Sequence, residues 1–501
     1  GVETDLGTNA GGWPARPGSG REAGRGEDVG HHVRLTRLGE VARRHPFRMG
    51  SPQAIDEGRV VHGEHRIRTQ IGCRHDRRSC TEQLVAQHIA TLGLLVTGKA
   101  HTHPVATLGG VPAVPIGPDD GHAQHGHTAD SRLHRMPTAA PSSRPSPRPR
   151  ARDLGLTFGP FSTGRHNAIT DVPGVRVGHV TVWHGDGDEP IARTGVTAIV
   201  PDEPAALFAM PMPAAPAVLN GAGELTGTIE MTEWGVLETP ILLTGTSSVG
   251  RVADGVVDEL FAAGVDEVVI PVVGECDDSH LDDMRRRWVT AAHARQALAA
   301  ATDGPVVEGV VGAGTGMVTM GHKAGIGTAS RYLPGLGTVG VLLLCNFGAA
   351  RDMRIGGVMV GEALAHLPDA TPPAPTLDQG GSCIGVVCTD VPLDARQLAR
   401  VARRVGLGLA RVGSVAHNGS GDIFCAISTA NRLPRNATGR ATIELLTDGS
   451  INEVFAAVVD ATEEAVCNAL FVADTVTGVG GHVVPGLPVD RVLSLVARAR
   501  S

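Results

Sequence analysis

The sequence is poor in aromatic residues and in lysine. Aromatic residues make up 3% of the 501 positions, and only two of the 44 basic residues are lysine. The core of such a chain must be packed by Ala, Val, Ile and Leu. The chain also lacks the many aromatic side chains on which proteins stack nucleic-acid bases, so we expect no nucleic-acid partner.

Long apolar runs are missing too. No run reaches the roughly 18 apolar residues of a membrane span, and the N-terminus has no charged-then-apolar leader, so we expect no membrane partner and a cytoplasmic location. The eight cysteines stand in scattered, mostly apolar contexts without a CxxC pair. They are predicted to be reduced core residues rather than parts of a disulfide or zinc framework.

The composition changes near residue 150. Residues 1–150 hold 13 of the 22 histidines and end in the run PSSRPSPRPR, which cannot form a helix. We predict a mostly disordered extension over residues 1–151 and a folded domain over residues 152–501. Two interpretations of the extension are open: it is an upstream sequence, with translation starting in the cell at Met136, or it holds a metal. The residues that would bind the metal are His101, His103, His122, His125 and His127. We adopt the first interpretation and expect no metal site.

From about Asp153 the pattern alternates between short apolar runs and helical periodicity, which predicts an α/β domain. The predicted strands are Val175–Val182, Val196–Val200, Ile241–Leu243, Val268–Val273, Val306–Val311, Val339–Leu344, Ile384–Val387 and Ile423–Ile427. The predicted helices are Val249–Ala263, Leu281–Ala301, Leu393–Leu409, Asn452–Phe471 and Val489–Arg498. A proline-rich loop is predicted over residues 367–381.

A small polar cluster at residues 415–422 leads directly into one predicted strand. Gly419 and Gly421 flank Ser420, so its hydroxyl is open to close approach by another group, as nucleophilic attack requires. The same residues are also typical of an ordinary turn before a strand. The local pattern alone leaves both interpretations open.

Several motifs together indicate a family. They are Ile169-Thr-Asp-Val-Pro-Gly-Val-Arg-Val-Gly-His-Val, Asn220-Gly-Ala-Gly-Glu-Leu-Thr-Gly, Gly312-Ala-Gly-Thr-Gly-Met, Gly325-Ile-Gly-Thr-Ala-Ser-Arg and Asn418-Gly-Ser-Gly-Asp-Ile-Phe. With these motifs the chain resembles the P1-type peptidase family, peptidase family S58, which includes the D-aminopeptidase/esterase and the β-peptidyl aminopeptidases. The resemblance implies a four-layer α/β/β/α sandwich similar to that of N-terminal nucleophile hydrolases, and a homo-oligomer.

The resemblance also implies self-cleavage. By analogy the precursor cuts itself between Gly419 and Ser420 into chains 152–419 and 420–501. The freed α-amine, with a pKa near ~8, would then act as the base for the Ser420 hydroxyl, and no histidine is needed.

Further roles follow from the same resemblance. Asn346, at the end of an apolar strand, would donate to the oxyanion, and Glu275 would hold the substrate ammonium. Asp277, two positions after Glu275, stands where family members often carry an aromatic residue, which favours a more basic substrate. Asn346 could equally begin a turn, and Glu275 could lie in a solvated acidic loop.

The supporting polar pair of the family is best matched by Thr462 and Glu464. Residues two apart on one helix diverge by about 200°, so both face Ser420 only if a helix breaks or starts near Thr462. The alternative is a simple helix cap with a solvated acid. Lys323 and Arg331 lie in or beside glycine-rich segments, which we interpret as tight turns around the cleft, where both cations could orient the substrate.

The sequence therefore predicts a serine aminopeptidase or amidase that acts on short peptides, amides or esters through an acyl-enzyme, without metal or organic cofactor. One alternative is a specialised amidase for pantetheine-type substrates. Another is an uncleaved binding protein without catalytic activity.

Overall fold

The computed structural model describes residues 148–366, 374 and 380–501. The predicted extension therefore lies outside the described residues up to position 147, with its histidines, Met136, Cys73 and Cys80. The α-helices are α1 Pro204–Ala209, α2 Thr228–Trp234, α3 Val249–Ala262, α4 Ala291–Ala299, α5 Gly361–Ala365, α6 Ala395–Ala402, α7 Arg404–Arg411, α8 Asn452–Val472 and α9 Val489–Arg500. None of these helices has the length and hydropathy needed to cross a bilayer.

Two sheets form the centre of the domain. The first has four strands in the order β1 (Arg176–His184), β2 (Ala192–Val200), β5 (Ile241–Gly245) and β6 (Val272–Cys276). The second has six strands in the order β4 (Val236–Leu237), β3 (Met212–Gly221), β14 (Gly419–Ser428), β13 (Gly380–Thr389), β10 (Gly337–Asn346) and β9 (Ile326–Leu333). Three short pairs complete the set: β7 (Val318–Thr319) with β8 (His322–Lys323), β11 (Arg354–Ile355) with β12 (Val358–Met359), and β15 (Val476–Thr477) with β16 (Val483–Val484).

The sheets pack face to face and helices cover both outer faces. Ile199 and Ile241 of the first sheet share one buried cluster with Leu342, Ile384 and Ile427 of the second. Helices α3 and α4 cover the outer face of the first sheet, and α6 and α8 cover that of the second, with α7 packed on α8. This is the predicted four-layer α/β/β/α sandwich, so the fold class is confirmed.

The central strands were predictable because both of their faces are buried. In β10, Leu342 and Leu344 point between the sheets, whereas Leu343 and Cys345 point toward the helices. Such strands are continuous apolar runs in the sequence. The six cysteines among the described residues are free and buried, as expected.

Two long strands, β3 and β9, were missed, as were the two-residue strands. Strand β3 contains Pro213 and Pro216, which normally argue against a strand. However, β4 pairs only with Met212 and Pro213, and β14 only with residues from Ala214 to Gly221, so each proline has one unpaired side, where the missing N–H is tolerated. Strand β9 is rich in small and polar residues, and its polar side chains form hydrogen bonds inside the fold. For example, the Thr328 hydroxyl donates to the Val341 carbonyl at 2.6 Å.

Other predicted elements were wrong or shifted. Residues 306–311 are not a strand and contribute only a bridge from Gly309 to Ile326, while β6 starts four residues later than predicted. The helix predicted from Leu281 starts at Ala291, because the Thr290 N–H donates to the His293 ring just before it. The helix predicted over 393–409 is two helices divided at Arg403.

The chain just before residue 152 is tied into the fold. The Arg150 guanidinium lies 2.6 Å from the buried Glu308 carboxylate and also donates to the Thr328 carbonyl at 2.7 Å. Ala151 is fully buried, and its N–H donates to the Asn468 side chain. Burial raises the pKa of Glu308 to about 7, against the opposing effect of Arg150. Residues 150 and 151 are thus integral parts of the domain.

We predict that Arg150→Met lowers the free energy of unfolding by about 3 kcal/mol near neutral pH, since it leaves a buried carboxylate unpaired. A carboxyl group whose pKa is raised by folding binds protons more tightly in the native state, so its cost grows as the pH rises. Denaturant titrations should therefore give a larger loss at pH 8 than at pH 5.5. Arg176→Met, whose partner Glu203 is exposed, is the control and should cost about 0.5 kcal/mol. Equal losses at both pH values would contradict this account.

Candidate active site

Several strand ends converge at one edge of the two sheets. Strands β13 and β14 are parallel neighbours, so Gly380 lies beside Gly419 and Gly381 beside Ser420. Strand β10 runs antiparallel to β13 and ends with Asn346 opposite Ser382. The packing of the sheets therefore brings polar residues from three strands of one sheet together with the end of β6.

A cavity of about 810 Å³ opens at this edge. Its wall contains the predicted residues Glu275 and Gly419, together with Gly381 and Ser382, which the sequence analysis did not single out. The remaining wall includes the loops around Gly223 and Thr246. The cavity thus joins an acidic residue of β6 to the start of β13.

Ser382 is the hydroxyl residue of β13 that faces this cavity. Its side chain is on the face between the sheets, in phase with Ile384 and Val386. Ser382 is only 3% exposed, and its Oγ forms no hydrogen bond of normal geometry among the described residues, although the Cys276 thiol lies close enough to interact with it. A buried hydroxyl without a partner is costly in a structural role and is typical of a group that awaits a ligand or a reaction.

Ser420 lies close to Ser382 but faces the other way. Ile423 and Cys425 of β14 point between the sheets, so the residues in phase with Ser420 point toward the helices. Ser420 is also buried, and its Oγ likewise has no partner among the described residues. A side chain built on Gly381 would meet this oxygen at 3.6 Å, so the Ser420 hydroxyl lies beside the Gly381–Ser382 peptide.

Asp422 is a second residue that the sequence analysis missed. It is fully buried in β14, and its carboxylate forms no hydrogen bond of normal geometry within the described part of the chain, although the Ser420 hydroxyl is close enough to interact with it. Burial raises its pKa, while the nearby Ser420 hydroxyl opposes that shift. Because residues two apart in a strand share a face, Ser420 and Asp422 form a hydroxyl–acid pair next to Ser382.

Asn346 has its side-chain orientation fixed. Its Oδ1 accepts from the Val318 N–H at 2.9 Å, and its Nδ2 donates to the Asp277 carbonyl at 2.9 Å. The amide carries two hydrogens, and no other acceptor of Nδ2 is found among the described residues. The second N–H is therefore available beside Ser382, although Asn346 does not line the cavity itself.

Glu275 is a buried carboxylate held at the cavity wall. Its Oε1 accepts from the Glu224 N–H at 2.9 Å, and Thr246 donates its hydroxyl to Oε2. Burial raises the pKa of Glu275, and these two hydrogen bonds oppose the rise. Gly223 makes the placement possible, because a Cβ there would lie 3.0 Å from Oε1 and 3.1 Å from Gly421.

Thr462 and Glu464 are not brought to Ser420. Helix α8 is continuous over both residues, and Thr462 packs against Gly408 of α7. Glu464 instead pairs with Arg152 and Arg331 at 2.6 and 2.8 Å. The strand register places Arg331 level with Ser428, eight residues or about 26 Å along the sheet from Ser420. The supporting role expected from the resemblance does not fit this location.

The two cations that could have oriented a substrate are structural as well. Lys323 is fully buried, and its Nζ donates to the carbonyls of Gly314, Met317 and Ala324 at 2.7–3.0 Å. Burial lowers its pKa to about 7, although three carbonyl acceptors match the three hydrogens of an ammonium. Arg331 pairs with Glu464, and neither cation lines the cavity.

Comparison with known proteins identifies the family of the chain. The family model described as Peptidase family S58 matches residues 167–484. The chain belongs to peptidase family S58. It is 41% identical over 370 residues to the β-peptidyl aminopeptidase BapA of Sphingosinicella microcystinivorans, covering 70% of this chain and 93% of the relative.

Solved structures of the family superpose on the domain. A β-aminopeptidase from a Burkholderia species has a TM-score of 0.65 and 42% identity over 70% of this chain and 98% of its own. The L-aminopeptidase D-Ala-esterase/amidase of Ochrobactrum anthropi, described as a variant of the Ntn hydrolase fold, has a TM-score of 0.63 and 37% identity over 70% and 99%. This S58 member is a hydrolase, a serine aminopeptidase of the N-terminal nucleophile type.

We predict that Thr246→Val shifts the acidic limb of the kcat/KM profile to higher pH. An ionised Glu275 is needed to hold an ammonium, and the variant removes a hydrogen bond that favours the ionised form. Activity should thus be lost at a higher pH as the solution is acidified, with little change above pH 8. Ser247→Ala, another change in the cavity wall, is the control. An unchanged acidic limb in Thr246→Val would rule out Glu275 as the titrating anchor.

We also predict that Glu464→Gln lowers the free energy of unfolding by about 3–5 kcal/mol, because it leaves the fully buried Arg331 guanidinium without its counter-ion. Denaturant unfolding provides the measurement. Glu463→Gln, which affects a partly exposed pair with Arg411, should cost far less. Full stability combined with lost activity would instead favour a direct role for Glu464 in the reaction.

Proposed function

We propose that the protein is an autoprocessed serine aminopeptidase and amidase that cuts itself between Gly381 and Ser382. The observation that carries this proposal is the buried, unpartnered Ser382 hydroxyl in a cavity that also holds Glu275. The mature enzyme would consist of a chain ending at Gly381 and a chain of 120 residues, 382–501. It would release N-terminal residues from short peptides, amides or esters.

Two Gly–Ser bonds compete as the cleavage site, and two observations favour the one before Ser382. Ser382 lines the cavity, whereas Ser420 does not. Ser382 is directly opposite Asn346 on the same face of the sheet, whereas Ser420 faces the helices. Ser420 and Asp422 then take the supporting place that the resemblance had suggested for Thr462 and Glu464.

The self-cleavage step needs no group from outside the chain except water. The Ser382 Oγ bonds to the Gly381 carbonyl carbon, the bond from that carbon to the Ser382 nitrogen breaks, and the hydroxyl proton moves to this nitrogen. Water then hydrolyses the resulting ester and leaves the Gly381 carboxylate. Gly381 has φ +141°, a conformation that residues with a side chain rarely adopt, and a Cβ there would lie 3.0 Å from the Asn346 carbonyl.

The mature site follows from the same atoms. The freed Ser382 amine, an α-amino group of the kind that ordinarily titrates near pH ~8, takes the proton of its own hydroxyl as that oxygen attacks the substrate carbonyl. The second N–H of Asn346 donates to the oxyanion, and Glu275 holds the substrate ammonium. Water then releases the acyl group. We include N-terminal β-residues among the substrates because of the 41% identity to a β-peptidyl aminopeptidase.

Denaturing mass spectrometry of the purified protein tests the proposal. We expect the wild type to yield a C-terminal chain of 120 residues that begins with Ser382, and Ser382→Ala to remain uncut, since it lacks the attacking oxygen. Ser420→Ala, the matched serine variant, should process more slowly but at the same bond.

Two other results would overturn this assignment. A C-terminal chain of 82 residues that begins with Ser420 would identify Ser420 as the nucleophile, as the sequence first suggested. A folded wild-type protein that remains uncut would remove self-processing altogether.

A further inference from the structure

The cavity at Ser382 carries an excess of negative charge. Three carboxylates line it, those of Glu224, Glu275 and Asp277, and no Lys, Arg or His is among its described lining residues. The carboxylates are close enough to interact, because both Asp277 and Glu224 contribute to the raised pKa of Glu275. The charge of this wall is therefore not balanced from within the wall.

One substrate ammonium accounts for only one of these acids. Glu275 is buried and fixed by Thr246 and the Glu224 N–H, as expected for the anchor of an N-terminal amine. Asp277 and Glu224 are exposed to the cavity, and neither forms an ion pair within the described residues. The Asp277 carboxylate accepts one hydrogen bond within the described residues, from the Ser279 N–H at 2.9 Å.

The neighbourhood supplies no fixed cation for Asp277. The ring of His280 is close enough to feel its charge, but burial and the stacked His482 ring lower the pKa of His280, which keeps it neutral at neutral pH. The wall of the same cavity also includes the apolar side chain of Met284. An acid and an apolar surface in one cavity suit an aliphatic stem that ends in a positive charge.

A second observation indicates that this acidic wall borders a reactive residue and not only solvent. Ser382 lines the same cavity, is 3% exposed, and its hydroxyl forms no hydrogen bond of normal geometry in the described chain. The carboxylates and Ser382 therefore border one volume. Its size of about 810 Å³ accommodates a residue with a long side chain together with its leaving group.

We propose that the enzyme prefers substrates whose N-terminal residue carries a second positive charge on its side chain, as in lysine, ornithine and their β-homologues. The N-terminal ammonium binds Glu275, the aliphatic stem lies along Met284, and the side-chain cation binds Asp277 within the field of Glu224. This inference rests on the proposed function, because it names the substrate class of that site.

The test compares substrates of equal length that differ in side-chain charge. Lysine and norleucine p-nitroanilides form one pair, and the corresponding β-homologues form a second, so that a preference for α- or β-residues does not obscure the result. We expect the wild-type kcat/KM to favour the basic member of at least one pair by about tenfold at low salt, and by less in 0.5 M NaCl.

Variants assign the preference to a residue. Asp277→Asn should lower the ratio of basic to neutral substrate about tenfold, Asp277→Glu should restore much of it, and Glu224→Gln should lower it less. Ser279→Ala, an uncharged change in the same wall, should keep the wild-type ratio.

The other outcomes would overturn either the substrate preference or the proposed function. Equal wild-type rates on the basic and neutral members of both pairs would overturn the inference and leave the aminopeptidase function standing. A loss in Asp277→Asn that is equal for both members would do the same, since it indicates a structural role. No turnover of any substrate by processed enzyme would instead overturn the proposed function.

Discussion

The parallel pairing of β13 and β14 is the constraint on which the candidate site depends. The other pairs of the six-stranded sheet are antiparallel, so this pair alone brings two strand starts side by side. Each start contains a Gly–Ser pair, and the register aligns Gly381 with Ser420. At the same edge of the sheet, two serines thereby lie on opposite faces. Ser382 lies on the face toward the cavity and Ser420 on the face toward the helices.

Close backbone approach is the second constraint. Gly421 and Gly223 pack so tightly that a Cβ on Gly421 would lie 2.8 Å from the Cα of Gly223. This contact brings the loop that carries Glu224 onto β14 and aligns the Glu275 carboxylate with the cavity. The electrostatics of the site therefore depend on residues that have no charge and no side chain.

The sequence predicts the doubly buried strands well, because β10, β13 and β14 are apolar on both faces and leave an unbroken signal. It fails for β9, whose buried residues are polar and bonded inside the fold, and for β3, whose prolines are tolerated only because each has one unpaired side. The missing information is tertiary in both cases: which partner satisfies each polar group, and which residues of a strand have an unpaired side.

The sequence predicts some residues of the candidate site and misses others. Glu275 and Asn346 lie at the ends of apolar strands, and the structure places Glu275 in the cavity wall and Asn346 opposite Ser382. Ser382 and Ser420 both follow a glycine at the start of an apolar strand, and the phase of each strand relative to the core distinguishes the two serines. A hydroxyl and an acid two positions apart share a face in a strand but diverge on a helix, which is why Ser420 and Asp422 form a pair whereas Thr462 and Glu464 do not.

The strand order has a consequence for a chain divided before Ser382. The first piece would supply β3, β10 and β9 of the larger sheet, and the second would supply β13 and β14, which lie between β3 and β10. Each piece would be held by hydrogen bonds on both sides of the inserted strands, so neither could leave without dismantling the shared sheet. Once denatured, however, the two pieces would have to find each other by diffusion. Recovery of the native state would then depend on protein concentration. The processed protein would therefore keep a fold that formed while the chain was still uncut.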